Sequence, residues 1–389
     1  MKKFLLFIFI SISIFIFPGC IDQSQEIGQT INVYNWGEFI SSGTDGGLDV
    51  NKEFTKKTGI KVNYTTYQNN EELFAKLSGG GAHYDVIFPS DYMISKLIEN
   101  DMLTKLDFKN IPNFSLINPE FKNLNFDPLN EYSVPYMWGL IGIFYNKNRV
   151  TEKEVDINWD ILWKEKYKKD ILMFDNARDA FAISLLRLGY SINSTKPEQW
   201  KEAATELLKQ RPLVQAYVMD QIFDKIGNSE AALASYYAGT ASIIMENNKD
   251  IGFVIPKEGT NKFVDSMCIP KDSQHKKEAE MYINFICDTN VALANVKQTG
   301  YSTPHIGAFE LLDEDVKQNK IFYPNNETIN NAQTFINLPP EINKLMDELW
   351  IEVKSGETTT SPWMLVVILA GFAIIYLGVA FYKRPKNKK

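Results

Sequence analysis

Reactive side chains are scarce in this chain of 389 residues. Only three histidines occur, His83, His275 and His305, and none stands beside a serine or cysteine in a nucleophile-elbow setting. The three cysteines, Cys20, Cys268 and Cys287, fit neither zinc spacing nor a disulfide framework. Cys268 lies in an apolar strand-like run and Cys287 on an amphipathic helical pattern, so both read as buried thiols. The glycines of Ser78-Gly79-Gly80-Gly81 have no following Lys-Ser/Thr, which excludes a phosphate loop and leaves any ATP work to another chain. No internal repeat is visible. Familiar nucleophile–base sets, metal clusters and cofactor motifs are all missing, so the chain reads as a non-enzyme with no cofactor and no metal.

Basic residues are also the minority, 41 against 48 acidic. Seven of the basic ones lie at the two ends, leaving 34 against 48 in the body, a net charge of −14. An acidic body argues against nucleic acid and suits cationic ligands.

Both ends carry membrane signals. Met1-Lys2-Lys3 is basic, Phe4 to Phe17 is apolar but short for a bilayer span, and Phe17-Pro18-Gly19-Cys20 follows. This reads as a leader over 1–20, and Gly19-Cys20 resembles a lipoprotein cleavage box with Cys20 as the lipidated residue. Residues 21–30 form a polar linker. Trp363 to Tyr382 is a charge-free run of 20 residues, bounded by interfacial aromatics and followed by the basic tail 383–389. As a helix it would measure ~30 Å, enough to span the hydrocarbon core. The body is thereby expected outside the cytoplasmic membrane, tethered through 355–362.

Within the body, hydrophobic periodicity predicts strand Ile31–Trp36, a helix ending at Gly59, strand Ile60–Tyr67, helix Glu71–Leu77, strand Tyr84–Pro89 and helix Met93–Asn100. That alternation is the signature of a doubly wound sheet. Tyr132–Tyr145 reads as a long crossover strand and Phe263–Pro270 as a second. Ile171–Phe174, Ser242–Glu246 and Ile251–Ile255 read as strands, with helices from Ala180, Trp200, Glu278 and Asn290, and a last one over 338–354. The expectation is an α/β clamshell of two doubly wound mixed sheets. One lobe takes 31–137 plus 264–306, and the other takes 138–263 plus 307–354.

Aromatic and acidic residues recur together at strand or loop ends: Trp36/Glu38/Phe39, Asp91/Tyr92, Asp175/Asp179 and Phe263/Asp265. Taken singly, each pair is equally a helix cap or a solvated loop acid, and Asp175 and Asp179 fit that reading well. Taken together they suit a flexible organic cation with several amines. Carboxylates would hold its ammonium groups, and ring faces would cover both methylenes and charge.

Several motifs in order are similar to the spermidine/putrescine substrate-binding proteins of polyamine ABC transporters. They are Tyr34-Asn35-Trp36, Phe54 to Val62, Tyr84 to Ser90, Tyr132 to Gly139, Asp175-Asn176-Ala177-Arg178-Asp179, Ile255 to Gly259, Asp265-Ser266 and Gly300 to Pro304. The resemblance implies a bilobed type II periplasmic-binding-protein fold. It implies ligand aromatics at Trp36, Phe39, Tyr92, Tyr237, Phe263 and Tyr301, ligand acids at Asp179 and Asp265, and Glu38 and Ser90 as polar neighbours. Asp265 would grip an inner amine and Asp179 a neighbouring one. Asn176 stands where spermidine binders carry a carboxylate, with Asp175 as the nearest substitute. Phe39, Tyr237 and Phe263 replace Tyr, Trp and Trp, and Phe335 occupies a position often filled by Gln. The implied partners are a polyamine ligand and, in trans, permease and ATPase subunits, with the receptor itself a monomer on the outer face of the membrane. Two other readings stay open: a ferric-ion receptor, from Tyr236-Tyr237, and a ligand-sensing module of a signalling system.

Overall fold

The computed structural model describes residues 29–356 apart from Ala82. The leader with Cys20, the 363–382 run and the basic tail lie outside the described residues, and no helix among those described is long and apolar enough to cross a membrane.

The first third of the chain alternates strand and helix. β1 (Thr30–Trp36) pairs in parallel with β2 (Lys61–Tyr67) and with β3 (Val86–Ile87). The helix Val50–Thr58 connects β1 to β2. It starts at Asp49, whose carboxylate accepts from the Lys52 N–H, and stops at Gly59, whose φ of 76° few other residues adopt cheaply. The helix Asn70–Ser78 is capped in the same way by Asn69 and returns the chain to β3. The helix Asp91–Glu99 follows.

β4 (Ser133–Asn146) is buried along all 14 of its residues, as a near-continuous apolar strand covered on both faces must be. Its first half pairs antiparallel with β9 (Thr260–Cys268). Its second half pairs with β7 (Leu233–Tyr237) and β8 (Ile251–Val254). Pro135 has no N–H for the ladder, and the register slips between Pro135 and Met137, the kind of bulge where a central strand tolerates proline.

β5 (Ile171–Phe174) runs parallel to β7 and to β6 (Val214–Val218), and the two-residue β10 (Ala332–Gln333) joins β9. The strand order is β2-β1-β3-β9-β4-β7-β5-β6, with β8 and β10 off this path. The strands thus form one continuous mixed path, its two parallel sets joined through the crossover strands as expected. The antiparallel pair β4 and β9 links the parallel set around β1 to the parallel set around β5.

Two stretches depart from the sequence reading. Ser242–Glu246, expected as a strand, lies inside the helix Ala241–Asn247. Its Ile-Ile pair has strand propensity, but Ala241 and Ile244, three apart on one helical face, are the residues that become buried, and packing overrides propensity. β6 and the helix Ile222–Gly227 were not anticipated. Cys268 and Cys287 are free and buried, as expected. His305 is also buried; its Nδ1 accepts from the Ala308 N–H at a helix start and its Nε2 donates to the Cys287 carbonyl, a structural role.

Gly142, in the second half of β4, lies under the Phe253 ring and the Val254 carbonyl; a Cβ there would meet both at 2.5 Å. Gly142→Ala is expected to lower the unfolding free energy by about 1–3 kcal/mol, read as a reduced urea midpoint. An unchanged midpoint would show that the β4–β8 contact yields without cost.

Candidate functional site

The carboxyl ends of several strands converge on one cavity, the place where ligands of α/β sheets collect. Trp36 ends β1, Ser90 follows β3, Asn176 follows β5, and Tyr237 ends β7. Phe263 and Asp265, two apart on β9, share one face of that strand, so both reach the same space. Tyr301 follows the helix Thr289–Thr299, where Gly300 turns the chain at a φ of 75°. The Tyr301 ring lies so close over Gly239 that a Cβ there would meet it at 2.3 Å.

The walls are rings. Trp36, Phe39, Tyr67, Tyr92, Tyr236, Tyr237, Phe263, Tyr301 and Phe335 all line the cavity. The Trp36 indole N–H donates to the Phe88 carbonyl at 2.8 Å, the Tyr67 hydroxyl to the same oxygen at 2.7 Å, and the two rings stand 4.7 Å apart. Tyr301 meets Phe39 edge-on at 4.9 Å, and Tyr237 meets Phe263 at 5.2 Å. Each ring is held by a hydrogen bond or a ring contact.

The charges on this wall are three carboxylates, Asp179, Asp220 and Asp265; among the described residues no Lys or Arg side chain lines it. Asp179 and Asp265 are almost completely buried, at 3% and 4% exposed. The Ser90 hydroxyl donates to Asp265 Oδ1 and the Tyr237 hydroxyl to Asp179 Oδ2, each at 2.6 Å. Asp179 Oδ1 is buried without a hydrogen-bond partner.

Desolvation pushes the Asp179 carboxyl up to about 7, against the pull of the Tyr237 hydrogen bond. Desolvation likewise raises Asp265 to about 7, opposed by Ser90, with the charge of Asp179 adding to the rise. Arg178 sits behind the wall, its guanidinium 4.4 Å over Phe335 and bonded through Nη2 to Asn193 and the Ile336 carbonyl. Its charge pulls the Asp179 carboxyl down in part, but Arg178 is not among the described residues that line the cavity.

Ten of the eleven residues singled out from the sequence come together here: Trp36, Phe39, Ser90, Tyr92, Asn176, Asp179, Tyr237, Phe263, Asp265 and Tyr301. Glu38 does not; it is exposed, at a φ of 48°, and outside the lining. Asn176 reaches the cavity while its side chain caps the helix Ala177–Arg187, accepting from the N–H groups of Arg178 and Asp179. Asp175 does not substitute for the missing acid, because it pairs with Lys354 outside this cavity. Tyr67, Gln68, Asn70, Met219, Asp220, Tyr236 and Asn261 line the wall without having been singled out as ligands of an organic cation. Burial holds the Tyr236 and Tyr237 phenols well above their usual range, which opposes the phenolate form that a ferric site would need.

A family model described as bacterial extracellular solute-binding protein matches residues 50–324. The chain belongs to the bacterial extracellular solute-binding proteins. Within that family it is similar to the spermidine/putrescine-binding periplasmic protein of Escherichia coli (strain K12), 36% identical over 329 residues, which span 84% of this chain and 92% of the relative. It is 30% identical to a putrescine-binding periplasmic protein of Pseudomonas aeruginosa, covering 85% of this chain and 93% of that one. Among solved structures it resembles the spermidine/putrescine ABC transporter substrate-binding protein of Streptococcus pneumoniae, in complex with calcium and HEPES. That likeness has a TM-score of 0.70 and 37% identity over 85% of this chain and 99% of that chain.

A carboxyl raised to about 7 is half protonated at neutral pH, whereas pairing with an ammonium group takes the carboxylate. Binding of an ammonium group at these carboxyls is therefore expected to release protons at neutral pH, with affinity falling as pH drops through that range. Between pH 8 and pH 6 the dissociation constant of an organic diammonium is expected to rise roughly 10- to 100-fold, as one or both carboxyls protonate. Calorimetry in buffers of different ionisation enthalpy should register the released protons; a pH-independent constant with no proton release would contradict it.

Proposed function

We propose that the protein binds a polyamine such as spermidine or putrescine, as the extracytoplasmic receptor of an ABC importer. The observation that carries this reading is a ring-walled cavity with three carboxylates and no basic side chain among its described lining residues. A linear oligoamine matches such a wall along its whole length. Its ammoniums meet the carboxylates in charge-assisted hydrogen bonds of ~1.5–3 kcal/mol each. The rings cover its methylenes and add cation–π attraction of roughly 0.5–2 kcal/mol per contact. The names of the relatives from Escherichia coli and Pseudomonas aeruginosa support the same ligand class.

Asp265 grips an inner ammonium and Asp179 a neighbouring one, with Trp36, Phe39, Tyr92, Tyr237, Phe263 and Tyr301 as walls. The halves 31–137 plus 264–306 and 138–263 plus 307–354 close on the ligand by bending at β4 and β9, a population shift of a hinged shell. The closed, loaded receptor, a monomer, then delivers the amine to a permease driven by an ATPase in another chain. The apolar run 363–382 and a lipid on Cys20 hold the body at the outer face of the cytoplasmic membrane; the sequence of both ends supports this.

Titration calorimetry with spermidine and putrescine is expected to give saturable binding of at least one of them; no heat from either would end the reading. Asp265→Ala, which leaves an ammonium buried without its counter-charge, is expected to weaken binding by at least ~2 kcal/mol. A dissociation constant equal to that of the wild type would remove Asp265 from the site.

A further inference from the structure

The third carboxylate of the wall, Asp220, comes from the loop between β6 and the helix Ile222–Gly227. It is half-buried, and no hydrogen bond or ion pair engages its carboxylate among the described residues. It lies against Gly37, the residue after β1, on the opposite half of the cleft: a Cβ on Gly37 would meet Asp220 Oδ2 at 2.1 Å. Any residue other than glycine there would push the carboxylate away. Glycine at 37 and aspartate at 220 therefore act as one feature, a carboxylate seated across the closed cleft beside Trp36.

We propose that Asp220 holds the outer ammonium of the ligand and thereby distinguishes a triamine from a diamine. The inference rests on the polyamine reading and adds a residue and a preference to it. Asp179 and Asp265 are close enough to act on each other, whereas the charged neighbour of Asp220 is Glu38. Asp220 lies beside Gly37, at the end of the cavity where β1 stops. Glu38 itself faces out of the lining, so Asp220 is the carboxylate that this end presents inward. Two ammoniums satisfy the inner pair. A third, one alkyl spacer further along the chain, reaches Asp220, and a diamine held by the inner pair has no group to place there.

The test is calorimetric titration of the full-length protein with spermidine and with putrescine, for the wild type, Asp220→Asn and Gly37→Ala. Asp220→Asn keeps shape and removes charge; it is expected to weaken spermidine at least tenfold and putrescine less than threefold, with an unchanged melting temperature. Gly37→Ala displaces the same carboxylate and should show the same selective loss. The double variant should lose no more than either single one, because both remove one interaction. If Asp220→Asn leaves spermidine binding intact, or weakens both amines alike, the assignment fails while the polyamine reading stands. A wild-type chain that binds neither amine overturns the polyamine reading instead.

Discussion

Two carboxylates buried without a cation of their own set the terms for the rest of this structure. An ionised carboxylate taken out of water costs several kcal/mol unless it is paired. The fold gives Asp265 a serine hydroxyl and Asp179 a tyrosine hydroxyl, and these offset only part of that cost, since both carboxyls remain near 7. Arg178, whose charge pulls Asp179 down only in part, is stacked over Phe335 and bonded through Nη2 to Asn193 and the Ile336 carbonyl, outside the cavity lining. The unmet requirement is a mobile positive charge, which is what a transported amine brings.

How the fold holds that requirement in place follows from its strand order. Ligands of open α/β sheets collect beyond the carboxyl ends of the parallel strands, and here two parallel sets point their ends at each other across β4 and β9. β9 pairs with β3 of one set and with β4, which in turn pairs with β7 of the other. It bridges Ser90 through Asp265 on one side and carries Phe263 towards Tyr237 on the other. Bending β9 or β4 therefore moves the walls while Asp265 stays at the seam.

The legible part of the site was the part written in strand periodicity. Trp36 at a strand end, Asp265 two residues after Phe263, and Asp179 in the first turn of a helix are all positions that a period of 2 or a helix start assigns. Asp220 was not legible. Its strand, Val214-Gln215-Ala216-Tyr217-Val218, follows Pro212 without a turn signal between, and what makes it part of the wall is a contact with Gly37, 183 positions earlier in the numbering. The same limit explains Glu38. Sequence placed an acid next to Trp36, but a left-handed backbone at that residue turns its side chain out, and nothing local announces it. Ser242–Glu246 failed for a third reason: an Ile-Ile pair suits either element, and only its packing decides.

Burial holds the Tyr301 phenol well above its usual range, and the charges of Asp265, Asp220 and Asp179 add to the rise, so all three acids act on one ring. In the proposed hinge, like charges on opposing walls oppose closure unless a cation neutralises them or the carboxyls are protonated. An oligoamine reverses the sign of every one of those interactions at once. Shifting a hinge from 1:99 to 99:1 needs a difference of ~5.5 kcal/mol between the two states. Two or three charge-assisted bonds formed only on closure supply about that much. A neutral ligand of the same shape would keep the ring contacts and leave the repulsion in place. In the proposed receptor the carboxylates would thus serve both to hold the amine and to keep the two halves apart until it arrives.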